Sequence, residues 1–200
     1  MEKRKVAGHK KKAQQEQSTL GFQDEAGVCL LPAIGYSYAP CGQRPVIVAD
    51  AKNRLKVSIS AVITPQAEMY YEVRQGTFKG AAIVRFIKKM KKTIKKRLTL
   101  IWDGAKIHTC EQVKQYLQAQ ENDQRSIWLE KLPAYCPELN PAEQVWQYLK
   151  NVLLKNEVSK TLVELKTKVV AAMETIKKDK ELIKSFFRHP NTGFYANSAA

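Results

Sequence analysis

No run of apolar residues in this chain approaches the roughly 18 that a membrane-crossing helix needs, and the opening MEKRKVAGHKKKAQQEQ is too polar for a secretory signal. Cysteine is scarce and scattered. Cys29, Cys41, Cys110 and Cys136 form no Cys-x-x-Cys pair and have no histidine at metal-ligand spacing, which argues against a zinc site and against a disulfide framework. A reducing, cytoplasmic setting follows as the expectation. Acidic residues are in short supply too: 19 Asp and Glu stand against 34 Lys and Arg, a net charge of +15. That imbalance excludes an acidic disordered chain and favours a polyanionic partner, nucleic acid ahead of a membrane surface. No internal repeat is visible.

What the 200 residues do contain, 44% of them hydrophobic, is enough for one sizeable domain. Residues 1–18 read as a basic lead-in without apolar periodicity, and the packed texture begins at Thr19. Leu20, Phe22 and Asp24 alternate with Gly21 and Gln23, the pattern of a strand that ends on an acid. Residues 31–54 hold Pro32, Gly35, Pro40, Gly42 and Pro45, a long excursion with little regular structure. Val57 to Ile63 and Met69 to Val73 read as a hairpin. Ile83, Ile87, Met90 and Ile94 draw an apolar stripe down a helix of residues 80–95 whose other side is lysine.

Leu98, Leu100 and Trp102 form a short buried strand that also ends on an acid, Asp103. A helix near Glu111 to Gln120 and a strand near Ile127 to Leu132 follow. Asn140 suits a helix N-cap, Pro141 the first helical position, and Glu143 the third, as in a capping box. Trp146, Leu149 and Leu153 continue that helix as a buried stripe, and Trp102, Trp128 and Trp146 all read as core. Thr161 caps a further helix carrying Leu162, Leu165, Val169, Met173 and Ile176, and Leu182, Ile183, Phe186 and Phe187 dock the tail. The expected architecture is α/β: a mixed sheet flanked by helices, with a core over 19–156 and C-terminal helices over 157–200 packed on it.

Asp24, Asp103 and Glu143 occupy special places. A strand-end Asp is usually a turn residue and an N3 Glu usually a cap. If the two strands are neighbours, however, the aspartates lie side by side, and a helix packed on the sheet brings Glu143 to meet them. Clustered carboxylates raise one another's pKa unless a cation compensates. An all-oxygen set suits Mg2+ or Mn2+. Glu25, next along the strand from Asp24, is expected to point to the opposite face.

The segments FQDEAG, IWDGAKIH and LPAYCPELNPAEQVWQYLK resemble, in that order, the three acidic blocks of DDE transposases of the mariner-like insertion-sequence superfamily. GYSYAPCGQRP is similar to the family's Trp-Ala-Pro-x-Gly segment, so the likeness runs from residue 18 to about 190. The resemblance implies a ribonuclease H-like fold and a DNA strand-transfer enzyme. Asp24, Asp103 and Glu143 would be its catalytic acids and the ligands of two Mg2+ or Mn2+ ions, with Glu138 as the rival third acid.

The resemblance also implies partners and neighbours of the site. These are transposon-end and target DNA, a homodimer, and helix-turn-helix modules that about 18 leading residues would not hold, as expected of a catalytic domain from a split or truncated reading frame, with a separate helix-turn-helix subunit as a candidate partner. His108, at the family's Asp-x-x-x-x-His position, would hydrogen-bond a site water or phosphate, or else cap the next helix, and Asn140 would sit near the DNA end. Tyr36, Tyr38 and Arg44 would touch DNA or a partner subunit, or pack on their own domain. Lys88, Lys89, Lys91 and Lys92 would bind phosphate, or form a solvated face. The resemblance places the protein on the nucleoid. Gly104 departs from the family's usual Asn, and with it comes the alternative reading of an inactive DNA-binding or dimerising remnant.

Overall fold

The structure, a computed structural model, describes residues 18–48, 55–120, 126–133, 136–188 and 192. The expected basic lead-in therefore lies outside the described residues except for Ser18. Five strands form one sheet in the order β3-β2-β1-β4-β5. They are β1 Thr19–Cys29, β2 Lys56–Ile63, β3 Met69–Gln75, β4 Leu98–Trp102 and β5 Ile127–Lys131. The mixed α/β architecture read from the sequence is the one observed.

β1 is the central strand and serves two neighbours in different senses. Its first residues run parallel to β4, from Thr19 opposite Leu98 to Phe22 opposite Ile101. From Phe22 onward it runs antiparallel to β2, ending with Cys29 opposite Lys56. Asp24 thus lies in mid-strand and not at a strand end, because Glu25 to Cys29 continue the ladder along β2 after β4 has stopped. Glycine at 21 is required by packing: a Cβ there would stand 2.9 Å from Val62 Cγ1, tighter than the inter-strand space allows.

The period-two alternation of β1 sorts its side chains to two cores. Leu20 and Phe22 face one side, where α3 Ala142–Tyr148, α4 Leu162–Lys178 and α5 Lys180–Phe186 cover the sheet. The opposite face, with Leu98, Leu100 and Trp102, packs on α1 Gly80–Thr93 and α2 Glu111–Gln118. Fully buried side chains such as Phe22 and Trp102 each contribute about 1.5–3 kcal/mol relative to exposure. Trp128 departs from expectation. It sits half-buried on the edge strand β5 beneath the Arg97 guanidinium, 4.8 Å from its ring centre, because an edge strand has a neighbour on one side only.

α3 begins as its sequence suggests. Asn140 is extended (φ −98°, ψ 106°), Pro141 is already helical (φ −63°, ψ −18°), and the Asn140 side chain accepts from the Ala142 amide at 3.1 Å. The helix widens into a π turn at Leu149–Leu153, which carries Leu149 into the core. Thr161 caps α4 by accepting from the Glu164 amide at 3.1 Å. Among the described residues no helix is long and apolar enough to cross a membrane.

Candidate active site

Three elements converge on one end of the sheet. Extending the β1–β4 register two positions beyond Phe22 and Ile101 aligns Asp24 with Asp103, the residue after β4. α3 packs across β1 on that side and presents Glu143 from its first turn. Together Asp24, Asp103 and Glu143 line a cleft of about 530 Å³, whose remaining wall includes Gly104, Lys131, Asn140 and the apolar Leu132 and Pro133. Glu138, in the single 3-10 turn Pro137–Leu139, is not part of that lining.

The carboxylates differ in environment. Asp24 is 8% exposed. Its Oδ2 accepts from the Trp146 indole at 2.9 Å and its Oδ1 from the Glu25 amide at 2.8 Å. Burial and the facing Glu143 charge outweigh those bonds and push the Asp24 pKa up to about 7. Asp103 is the more open, and the bond from His108 holds its pKa below the usual carboxylate range. The Ala105 amide adds a second donor to Asp103 Oδ1 at 3.0 Å.

His108 does not cap the next helix, since the residue preceding α2 is Cys110, and it is 1% exposed. Its Nδ1 stands 2.8 Å from Asp103 Oδ1, its Nε2 stands 2.9 Å from Glu25 Oε2, and its ring stacks on Trp102 at 4.3 Å. Held between two carboxylates, its pKa rises to about 9 despite burial. Glu25 points away from Asp24, as alternation requires, and its contact with His108 was invisible in the sequence because the two are 83 positions apart. Lys131 was missed too: it closes β5 and reaches the cleft rim, and only the strand order reveals this. Asn140, 4% exposed, lines the cleft and caps α3, with its amide 3.5 Å from the Gln23 carbonyl.

The other predicted contact residues lie away from the acids. Tyr36 and Tyr38 are 99% and 104% exposed, and Arg44 is exposed as well, so none packs on its own domain. Among the lysines of α1, Lys88, Lys89 and Lys92 are exposed, while Lys91 is half-buried. They occupy the helix that leads into the start of β4, on the sheet face opposite α3. Asp103 is at the other end of that strand.

The donor set is suited to a hard divalent cation: three carboxylates, with no sulfur among the described lining residues except Cys136. The raised Asp24 pKa comes first from burial of its carboxylate and then from the facing Glu143 charge, both of which a bound cation would offset. Among the described residues no three His, Cys, Asp or Glu side chains already stand close enough together to hold a metal.

Comparison with known proteins places this geometry in a family. A protein of insertion element IS630 from Shigella sonnei, described as an uncharacterized 39 kDa protein, is 26% identical over 157 residues. That match covers 78% of this chain and 44% of the relative, so the chain spans under half of that protein's length. Among solved structures, the Mos1 transposase paired-end complex with left transposon end superposes with a TM-score of 0.68 at 16% identity, over 99% of this chain and 60% of that one. The catalytic domain of Mos1 mariner transposase gives 0.62 at 15% identity, covering 99% and 91%. Mos1 paired-end complexes are also known with Mn and with Mg. These likenesses establish the ribonuclease H-like fold. The family model described as DDE superfamily endonuclease matches residues 19–166, and the chain therefore belongs to the DDE superfamily endonuclease family.

Proposed function

We propose that the chain is the catalytic domain of a divalent-metal-dependent enzyme that cleaves DNA at the ends of a mobile element and joins the ends to a target duplex. One observation carries the reading: Asp24, Asp103 and Glu143, drawn from β1, the end of β4 and the first turn of α3, line a single cleft. Mg2+ or Mn2+, held by these three acids as a pair of ions, would supply Lewis-acid activation of the attacking oxygen and stabilise the leaving one.

The protein's own residues supply position and charge. Trp146 and the Glu25 amide fix Asp24, and His108 and the Ala105 amide fix Asp103, so neither carboxylate has to be ordered when substrate arrives. Lys131 offers a cation to a phosphate at the rim, while Leu132, Pro133 and Pro137 form a dry wall. Among the described residues no serine or tyrosine lines the cleft, and this reading includes no covalent protein–DNA intermediate. The IS630 relative supports an element-encoded enzyme. The partners in this reading are transposon-end and target DNA, a second copy of the chain meeting through the exposed 31–48 segment, and a helix-turn-helix module from another chain.

Mg2+- or Mn2+-dependent nicking of element-end duplex is expected, and Asp103→Ala is expected to abolish it with the circular dichroism spectrum unchanged. Undiminished cleavage by Asp103→Ala would sink the mechanism. One observation favours the alternative of a non-cutting DNA-binding or dimerising remnant. Gly104 lines the cleft beside Asp103 with open space where the family's Asn side chain would stand. Titration with Mn2+ separates the two readings: the active site binds the ion in an Asp103-dependent manner, and the remnant does not.

A further inference from the structure

Between the cleft and the far face of the sheet lies a chain of contacts that the three acids do not explain. Asp103 Oδ1 meets His108 Nδ1 at 2.8 Å, and His108 Nε2 meets Glu25 Oε2 at 2.9 Å and Oε1 at 3.2 Å. A carboxylate only accepts, so each ring nitrogen donates and the imidazole is gripped from both ends. Trp102 closes one face of the ring in a parallel stack, 4.3 Å between centres and 4° between planes. Glu25 is itself held from behind: the Gln23 amide donates to Oε1, and Ser60 Oγ lies 3.3 Å from the same oxygen. At the cleft end there is less support. Gly104 has no side chain to steady its neighbour, and among the described residues His108 and the Ala105 amide orient the Asp103 carboxylate.

We propose that Glu25 is a positioning residue for the cleft: by clamping His108 from the opposite sheet face, it holds the Asp103 carboxylate with one oxygen bound and the other turned to the metal and DNA. The inference rests on the reading of Asp103 as a metal ligand. Its logic is that of outer partners of ligands generally, where a carboxylate fixes an imidazole and the imidazole fixes what it touches. The strand makes the arrangement possible, since alternation along β1 sends Asp24 into the cleft and Glu25 to the other side.

The test uses Glu25→Ala and Glu25→Gln, with Ser60→Ala as a control that removes a Glu25 contact but leaves the shorter bond between Glu25 Oε2 and His108. In metal-free protein, the His108 Nδ1 proton should appear as a slowly exchanging downfield NMR signal, vanish in Glu25→Ala, and survive in Glu25→Gln, whose amide oxygen still accepts from Nε2. Mn2+ affinity should fall about 10- to 100-fold in Glu25→Ala, recover substantially in Glu25→Gln, and stay unchanged in Ser60→Ala. At saturating Mn2+ the Glu25→Ala cleavage rate should return toward that of the parent. Persistence of the Nδ1 signal in Glu25→Ala, with unchanged Mn2+ affinity and only a lower Tm, would overturn the proposal and make Glu25 a mere cross-tie. If the signal vanishes but Asp103→Ala binds Mn2+ as the parent does, the positioning role stands and the metal role of Asp103 falls.

Discussion

A carboxylate that is 8% exposed and faces a second one costs free energy to ionise, and Asp24 is in that position. The folded protein retains the Asp24 proton up to about pH 7, whereas the unfolded chain releases it near 3.8, so this residue's contribution to stability drains away as pH rises across that interval. His108 acts in the same sense over the next interval, from 6.5 to about 9, because the folded state holds its proton longer. The lowered pKa of Asp103 works oppositely, but only below the ordinary carboxylate range. In chelator, Tm should therefore fall steadily from pH 5 to pH 9. Asp24→Asn should flatten the acid half of that profile and raise Tm at pH 8 by several degrees, since about 1 kcal/mol corresponds to roughly 2–4 °C for a chain of this size. Mn2+ should stabilise the parent and leave Asp24→Asn unmoved. Differential scanning calorimetry across pH, with and without Mn2+, checks this; a variant less stable than the parent at pH 8 in chelator would contradict it.

At the scale of elements, α1 and α3 divide the labour between the two sheet faces. α3 builds the cleft, while the exposed lysines of α1 stand on the other face and at the far end of β4, about 16 Å along a five-residue strand. Replacing Lys88, Lys89 and Lys92 by Gln should make the slope of log K against log salt shallower by about 2 to 3, at roughly 0.9 per phosphate contact, and leave the cleavage rate at saturating DNA unaltered. An unaltered slope would identify a solvated surface, and a lost rate would place this face at the reacting end. The amphipathic period made α1 legible in the sequence, as Asn140-Pro141 made the start of α3 legible. Which end of the sheet the lysines occupy was not legible, because that depends on strand order. The end of β1 was misread at Asp24 for a related reason: Glu25 to Cys29 remain strand through pairing with β2, which no local pattern encodes. Trp128 read as core from its alternation, but edge placement leaves it half-covered. The acids were found through motif order, whereas Glu25–His108 and Lys131 needed contacts across long sequence separations.

For the whole molecule, the feature that does not fit a self-contained domain is the 31–48 excursion. Its base is pinned, with Ala33 bridging to Lys155 and the Gly35 amide donating to Asn156 Oδ1 at 2.9 Å. Beyond the base, Ile34, Tyr36, Tyr38, Val46 and Val48 are 79% exposed or more, a density of apolar surface that monomers rarely leave in water. Sedimentation velocity should show dimer at micromolar concentrations, and Ile34→Ser with Tyr36→Ser and Tyr38→Ser should give monomer with Tm unchanged within about 2 °C; a parent that stays monomeric at every concentration would refute a role in self-association. The central strand has a consequence of another kind, in the order of events during synthesis. β1, its antiparallel partner β2, and β3, which pairs with β2, all emerge before β4, and the parallel pairing of Thr19 with Leu98 closes a loop of nearly eighty residues. Such distant pairings form late. A nascent chain still short of Leu98 carries Asp24 on a three-stranded meander but has no Asp103 beside it, and Glu143 comes later still. The cleft therefore cannot form until the chain has grown past Glu143, so no shorter nascent fragment brings the three acids together.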